Sequence, residues 1–539
     1  MPHQATRRML ASSESSESSI MTGVKSRHES YYALLLIPII LFLVSLYIPP
    51  TMVPDSGVGF LALRSMLEDG VFNSVQTPDP ANIANDVVTF LTWWSPGQYL
   101  VPGIFIVLGM PHGVALSLTA LIATLIGVVG WIQVARSFAV SSFVLFVFTL
   151  GLTTFPYVTN SFRIYTGGEL LLFATAPWSL YAMRWSADRS PILCFIISLF
   201  SGALLFFAKL TGLIVFAANI LGITLLSLSQ RRLSSSTIAM WAASAIATLC
   251  FIAFWLARGG VPASGSTFAF SWLPIWYSLA SVTSSGIYGL DLFFGHPWLQ
   301  INLQWATELL GLLGLLFMVW AWCRLRHTRH RDMVILFVAI TLVYVVALIT
   351  MYLRGADISG EDRHFRYAGI LFFLLLLTAL DQWGVRAAKG LVWAMVIVFG
   401  LYNLRNYTVS ASSQVWGGYY DPKSGISQEF VSPRALEYMR SEVTRHNVKR
   451  PIAVVPWASV AISLRGFRII LVDLNKEVLP SVDTTATLKW AGRTEKIFVI
   501  VREEMIRNGA AEAILRSFTD YDLDSWRSLK FDATTVYMQ

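Results

Sequence analysis

Long apolar runs separated by short polar stretches fill most of the chain up to residue 405. About eleven of them approach the roughly 20 residues that a helix needs to cross a bilayer. They cover 31–50, 112–135, 140–158, 167–183, 190–207, 210–229, 236–257, 305–323, 333–353, 367–383 and 389–405. After Asn406 the pattern changes. Strand-like apolar runs stand at 451–456, 467–472 and 496–501, a helical period covers 503–518, and a last strand is expected at 529–537. Strands mixed with a helix over 406–539 predict a small α/β domain, and their apolar character fits a covered sheet. Residues 1–30 are rich in Ser and Glu, and are expected to be disordered. They lack a small-residue cleavage site, so 31–50 is read as a retained anchor. The pattern predicts a polytopic α-helical membrane domain over 31–405 with an α/β domain behind it.

Two polar stretches, 51–111 and 259–304, are long. The first holds an amphipathic segment at 58–69, a polar turn, and then 87–108 with Trp93, Trp94 and several prolines. The second is dense in aromatic residues at 268–276 and 289–298. Trp and Tyr at this density favour the membrane–water interface, which predicts interfacial helices on the outer leaflet. Aromatic anchoring without any ligand is the alternative.

Charge orients the spans. Basic residues gather in every second connection, at Arg7, Arg8, Lys25 and Arg27, at Arg136, at Arg184 and Arg189, at Arg231 and Arg232, through 324–331, and at Arg386 and Lys389. The other connections are nearly free of them: Arg64 is the only basic residue of 51–111, and 259–304 has none. The positive-inside rule puts the first set in the cytoplasm. Both long loops, 354–366 and the chain after Asn406 then face outward, as in a multi-pass protein of the inner (plasma) membrane.

Composition agrees. Of 539 residues 55% are hydrophobic and only 13% charged, against about 25% charged in soluble proteins. The formal charge of +8 sits at helix ends and does not point to nucleic acid. Cys194, Cys250 and Cys323 fall in apolar runs and read as small hydrophobes, not as disulfide partners or metal ligands. The α/β region shows no Gly-rich phosphate loop, metal cluster or nucleophile motif, so recognition or a structural lid is expected of it.

Asp55 directly follows the first run, in Thr51-Met-Val-Pro-Asp-Ser-Gly-Val-Gly-Phe60. A carboxylate at the mouth of an apolar helix is costly to desolvate. It either caps the helix that begins there or carries chemistry.

Several motifs in order resemble the GT-C class of membrane glycosyltransferases, close to bacterial relatives of protein mannosyltransferases and aminoarabinose transferases. They are Pro54-Asp55-Ser-Gly-Val-Gly-Phe-Leu-Ala-Leu, Trp94-Ser-Pro-Gly-Gln-Tyr99, Arg163-Ile-Tyr-Thr-Gly-Gly-Glu169, Ala208-Lys209-Leu-Thr-Gly212 and Glu361-Asp-Arg363-His-Phe-Arg366-Tyr367. The resemblance covers roughly residues 31–405. It implies transfer of a sugar from a polyprenyl-phosphate donor to a lipid, glycan or protein acceptor at the outer face. Asp55 would be the general base for the acceptor hydroxyl. Arg363 and Arg366 would hold the lipid phosphate, with Lys209 as a further cation. Glu169, Tyr367, Asp86 and Trp94 would belong to the donor site.

Each role has a plainer rival. Arg363 and Arg366 form solvated pairs with Glu361 and Asp362, Lys209 snorkels to the interface, or Glu169 complements a helix N-terminus. Asp86 and Asp291 are loop or cap residues, and His296 is a fixture of an aromatic loop. Several relatives carry two adjacent acidic residues after the first span, whereas Ser56 follows Asp55 here. No metal is therefore expected, since a lone carboxylate can act as base without one. A transporter or flippase, or a scaffold that keeps the shape without catalysis, are the other classes. No internal repeat of span groups supports the transporter.

Overall fold

A computed structural model describes residues 30–92, 94–258, 270–286, 303–354, 362–416, 420–428, 431–471 and 489–539. After a 3-10 turn, helix α1 (Leu36–Ser45) leads through strand β1 (Thr51–Met52) into α2 (Pro54–Asp69). The hairpin β2 (Ser74–Asp79) and β3 (Asn82–Phe90) and helix α3 (Gly97–Val107) follow. Next come α4 (His112–Arg136), α5 (Ser142–Thr154), α6 (Pro156–Ser161), strand β4 (Ile164–Tyr165) and α7 (Gly168–Ala187). The remaining helices before the C-terminal region are α8 (Pro191–Ala208), α9 (Gly212–Ser229), α10 (Ser235–Phe254), α11 (Leu273–Gly286), α12 (Leu303–Leu325), α13 (Arg331–Leu353), α14 (Arg366–Trp383) and α15 (Arg386–Trp416).

Among the described residues nine helices are long and apolar enough to cross a membrane, and each overlaps a run expected from sequence. Their outer faces are apolar. On α8, Ile192, Ile196 and Phe200 recur every fourth residue on an exposed face, while Cys194, Ser198, Gly202 and Leu205 face inward. Water would penalise such a stripe and lipid accepts it.

Two expected spans differ. The first is helical only over Tyr31–Ser45, shorter than a membrane needs, and the chain leaves the helix ahead of Pro49 and Pro50. Helix α7 has the length, but Glu169, Trp178, Tyr181 and Arg184 lower its hydropathy, and it is largely buried against α4 and α8. The last helix, α15, continues through residue 405 to Trp416. Cys194 is buried, whereas Cys250 and Cys323 lie on exposed helix faces.

The first long loop does not lie flat. Phe60, Leu61, Ala62 and Leu63 are all buried, because α2 is covered by α3, by the hairpin and by the C-terminal region. The segment 87–108 is not one helix: Val87, Val88 and Thr89 continue strand β3, and the helix begins at Gly97. β-branched residues set the strand, and the Asp79 carboxylate, accepting from the Ala81 amide at 2.9 Å, sets its turn. In the second loop, α11 packs against α12 and α14 and buries Ser278, Ser281 and Thr283, so it too is an inner element. Asp291 and His296 lie outside the described residues.

The C-terminal region adds β5 (Tyr420–Asp421), β6 (Ile426–Ser427), α16 (Pro433–Arg445), β7 (Ile452–Val455), α17 (Ala458–Ile462) and β8 (Arg468–Leu471). It ends with β9 (Ile497–Arg502), α18 (Glu503–Arg507), α19 (Ala510–Arg516), β10 (Arg527–Phe531) and β11 (Thr534–Met538). The sheet order is β10-β11-β9-β7-β8, parallel among β8, β7 and β9 and antiparallel at β11 and β10. The central strands are buried throughout, from Ile452 to Val455 and from Ile497 to Val501, as their unbroken apolar runs require. The single strand expected at 529–537 is a hairpin, turning at Asp532 with φ of 51°.

Candidate active site

Helix α7 begins at Gly168, where a side chain has no room: a Cβ there would stand 2.9 Å from the Ala208 carbonyl oxygen. This close approach brings the end of α8 against the start of α7. Glu169 therefore sits in the first turn of α7 directly beside Lys209, the residue that ends α8. Lys209 Nζ donates to Glu169 Oε1 at 2.8 Å, and Arg363 Nε lies 3.7 Å from the same oxygen. The three side chains retain only 8%, 16% and 19% exposure for Glu169, Lys209 and Arg363. Lys209 thus does not snorkel to water, and Arg363 is not a solvated surface pair. Helix α7 also gains an acidic residue at its positive end.

Arg363 and His364 belong to a 3-10 turn, Asp362–His364, that runs into α14. Two bonds fix this turn on the bundle. The Tyr344 hydroxyl of α13 donates to the His364 carbonyl at 2.6 Å, and the Tyr367 hydroxyl of α14 donates to Asn219 Oδ1 at 2.5 Å. His364 Nδ1 is 3.4 Å from Lys209 Nζ. An ammonium has no lone pair, so Nδ1 accepts and the neutral ring carries its proton on Nε2. Burial above all, and then the Lys209 charge, push the His364 pKa down to about 3. The ring stays neutral at ordinary pH.

These groups line one narrow cleft, together with Trp131, Thr211, Tyr344, Arg366, Tyr367 and Ile370. Its floor is aromatic: the Trp131 and Tyr367 rings are 5.8 Å apart, and Tyr344 and Tyr367 are 5.9 Å apart. Three cations and one carboxylate are gathered on a partly apolar wall. Such a lining suits an anion attached to an apolar chain, because guanidinium forks and an ammonium stabilise phosphate oxygens.

Of the residues expected from sequence, Glu169, Lys209, Arg363, Arg366 and Tyr367 come together here. Asp55 is the second residue of α2, behind Val53 at the N-cap position and Pro54; its side chain lies outside the described residues. Its backbone stands beside the segment that leads into Glu169. Strands β1 and β4 pair in parallel, the Val53 amide donates to the Tyr165 carbonyl at 3.3 Å, and Ser56 Oγ to the same oxygen at 3.4 Å. Trp94 is half-buried just before Gly97, whose backbone presses on Phe207 near the end of α8.

Asp86 is elsewhere. It lies on β3 and accepts from Arg468 Nε of β8 at 2.6 Å, from Gln76 at 3.2 Å, and from Arg450. It therefore joins the hairpin to the C-terminal sheet and does not line the cleft.

Sequence reasoning missed His364, Tyr344, Trp131 and Thr211. His364 stood inside a quoted motif, and its neighbours Arg363 and Arg366 were the available signal. Among the described residues no three His, Cys, Asp or Glu side chains gather as a metal would need.

No family model matches the sequence, and no curated protein matches it. Solved structures do. ArnT from Cupriavidus metallidurans bound to undecaprenyl phosphate aligns with a TM-score of 0.54 and 13% identity, over 95% of this chain and 98% of that one. Its apo state aligns with a TM-score of 0.53 and 13% identity, over 94% and 97%. The protein has the fold of ArnT, a GT-C-like multi-pass helical membrane fold with a small C-terminal sheet domain.

Proposed function

We propose that the protein is a glycosyltransferase of GT-C type that moves a sugar from a polyprenyl-phosphate donor to an acceptor hydroxyl at the outer face of the membrane. The observation that carries this reading is the cleft that Lys209, Arg363 and Arg366 line together with one carboxylate, Glu169. The ArnT fold supports it, since that protein was solved bound to undecaprenyl phosphate and its fold aligns over 95% of this chain.

The chemistry follows from charge. Breaking the bond between the sugar's anomeric carbon and the phosphate oxygen turns a phosphodiester monoanion into a monoester that carries a second negative charge. Cations already held in place stabilise that growing charge with no reorganisation at the moment of reaction. Arg363 and Arg366 take the phosphate oxygens, and Lys209, aimed by Glu169 and His364, supplies the third cation. Asp55 accepts the proton of the acceptor hydroxyl as its oxygen attacks the anomeric carbon, so charge and protons balance. The reading uses no metal. Tyr367 is spent on Asn219 and contributes its ring; Asp86 serves the seam with the C-terminal sheet. The acceptor is a lipid, a glycan or a protein. The N-terminus is cytoplasmic, and the chain from Asn406 onward forms an extracytoplasmic domain of a plasma-membrane protein.

The test uses full-length protein in detergent, undecaprenyl phosphate as the binding probe, and a panel of polyprenyl-phosphate sugars for turnover. Wild-type protein should bind the probe and consume at least one donor. Asp55→Asn should lower turnover by about 10²–10⁴-fold, the usual worth of a general base, and bind the probe as before. Full activity in that variant sinks the base assignment. Absence of lipid binding by the wild type, or movement of a donor across vesicles without its consumption, sinks the transferase.

A further inference from the structure

Arg64 is the only basic residue between 51 and 111, and the proposed chemistry does not use it. It sits on α2, two turns beyond Asp55, and points into the C-terminal region. Its Nη1 donates to the Leu464 carbonyl at 3.2 Å, its Nη2 to the Phe467 carbonyl, and its Nε to both oxygens of Glu68 at 3.1 and 3.2 Å. A guanidinium that spends its fork on two backbone carbonyls is a joint, since those bonds fix direction as well as distance.

The same helix touches the C-terminal region at two more places. A Cβ at Gly57 would lie 2.5 Å from the Ser459 amide nitrogen and 2.8 Å from the Ala458 carbonyl carbon, so only glycine lets α17 rest there. Beyond α2, Arg468 holds Asp86 and also donates to the Ile83 carbonyl at 2.6 Å and to the Asn85 carbonyl. Ile83 and Ala491 form a further backbone bond of 2.8 Å. The opposite side of the Asp55 turn is bonded to the membrane domain through Val53 and Tyr165. Two residues before Asp55 the chain is fixed on the membrane domain; two residues after it, on α17.

We propose that the C-terminal domain is a positioning element for the Asp55 turn, with Arg64 and Gly57 as the positioning residues. The turn is clamped between two bodies, whereas Glu169, Lys209, Arg363 and Arg366 stand on the membrane helices and their connections alone. Loosening the clamp therefore moves the base away from the reacting hydroxyl and leaves the phosphate site intact. As a statement about catalysis this rests on the transferase reading; as a statement about the turn it does not.

The experiment compares full-length wild type with Arg64→Ala and Gly57→Ala. Amide hydrogen exchange at 54–62 should rise at least tenfold in both, with 168–176 at the start of α7 unchanged. Undecaprenyl phosphate should bind within twofold of wild type. On a donor that the wild type consumes, kcat should fall at least tenfold with KM unchanged, and Arg64→Lys should recover part of it. Gly57→Ala guards against a trivial result, because in a free helix alanine in place of glycine stabilises; looser exchange there reports the seam. Unchanged exchange at 54–62 in both variants overturns the clamp whatever the enzyme does. Equal losses of kcat and lipid affinity overturn its confinement to the base. Failure of the wild type to bind undecaprenyl phosphate, with the exchange result as expected, removes the transferase reading and keeps the clamp.

Discussion

Glu169 and Asp86 are each held by two cationic side chains, in different surroundings. Glu169 meets Lys209 and Arg363 at the edge of a cleft; Asp86 meets Arg468 and Arg450 at a seam. Burial does not separate them, with 8% of the Glu169 side chain exposed and 9% of the Asp86 side chain. What separates them is what the cations face. Arg468 gives its fork to Asp86 and to the carbonyls of Ile83 and Asn85, so its valence is used inside the protein. Lys209 and Arg363 line a cleft instead, with Arg366 beside them. A buried ion pair alone says little about function; its surroundings decide.

The comparison breaks most visibly at Asp86. Asp86→Ala leaves Arg468 buried without its carboxylate, a loss of the order of 3 kcal/mol for a broken buried pair. The thermal midpoint in detergent should fall by several degrees while undecaprenyl phosphate affinity stays within twofold. A drop in affinity without a drop in midpoint would place Asp86 in the ligand site after all. Arg363→Ala should do the reverse. Glu169 keeps Lys209, so the midpoint should hold, but losing charge-assisted bonds to a phosphate weakens lipid binding by about tenfold to a hundredfold. Unaltered affinity there would remove the phosphate role from Arg363.

Much of this was legible in the chain, and what was not has a physical reason. Spans could be read because their signal is local: a run of sufficient length has few other uses. Glu169, Lys209 and Arg363 could be grouped because loop charge put all three at helix ends on one side. Asp86 could not be placed, since its partner Arg468 lies 382 residues away and no nearby pattern announces it. The role of His364 likewise depends on Lys209, 155 residues distant. Trp131 and Tyr344 sit within apolar runs, where an aromatic that floors a cleft looks like any other core ring. The hairpin did leave a trace, the turn Asp79-Pro80-Ala81-Asn82, but the strand after it ran on toward the apolar segment of α3 and was read with it.

The smallest effect concerns pH, and it tests whether the two cation sites also differ in what titrates. The His364 ring faces Lys209, Glu169, Arg363 and Arg366, and its pKa lies near 3, below the ordinary 6.5. Above pH 6.5 both the folded and the unfolded chain carry the ring neutral, so it adds no pH dependence. Below 6.5 the unfolded chain takes up a proton that the folded chain refuses, and stability falls as pH drops toward 3. In wild type, part of the decline in thermal midpoint between pH 7 and pH 5 should come from this residue. His364→Gln keeps an acceptor for Lys209 and has no proton to gain, so its midpoint should decline less over the same interval. Among the described residues no histidine bonds to Asp86, and variants at that seam should keep the wild-type slope. An identical slope in His364→Gln would mean that the ring is protonated in the folded protein too, and that Lys209 is not held by a neutral imidazole.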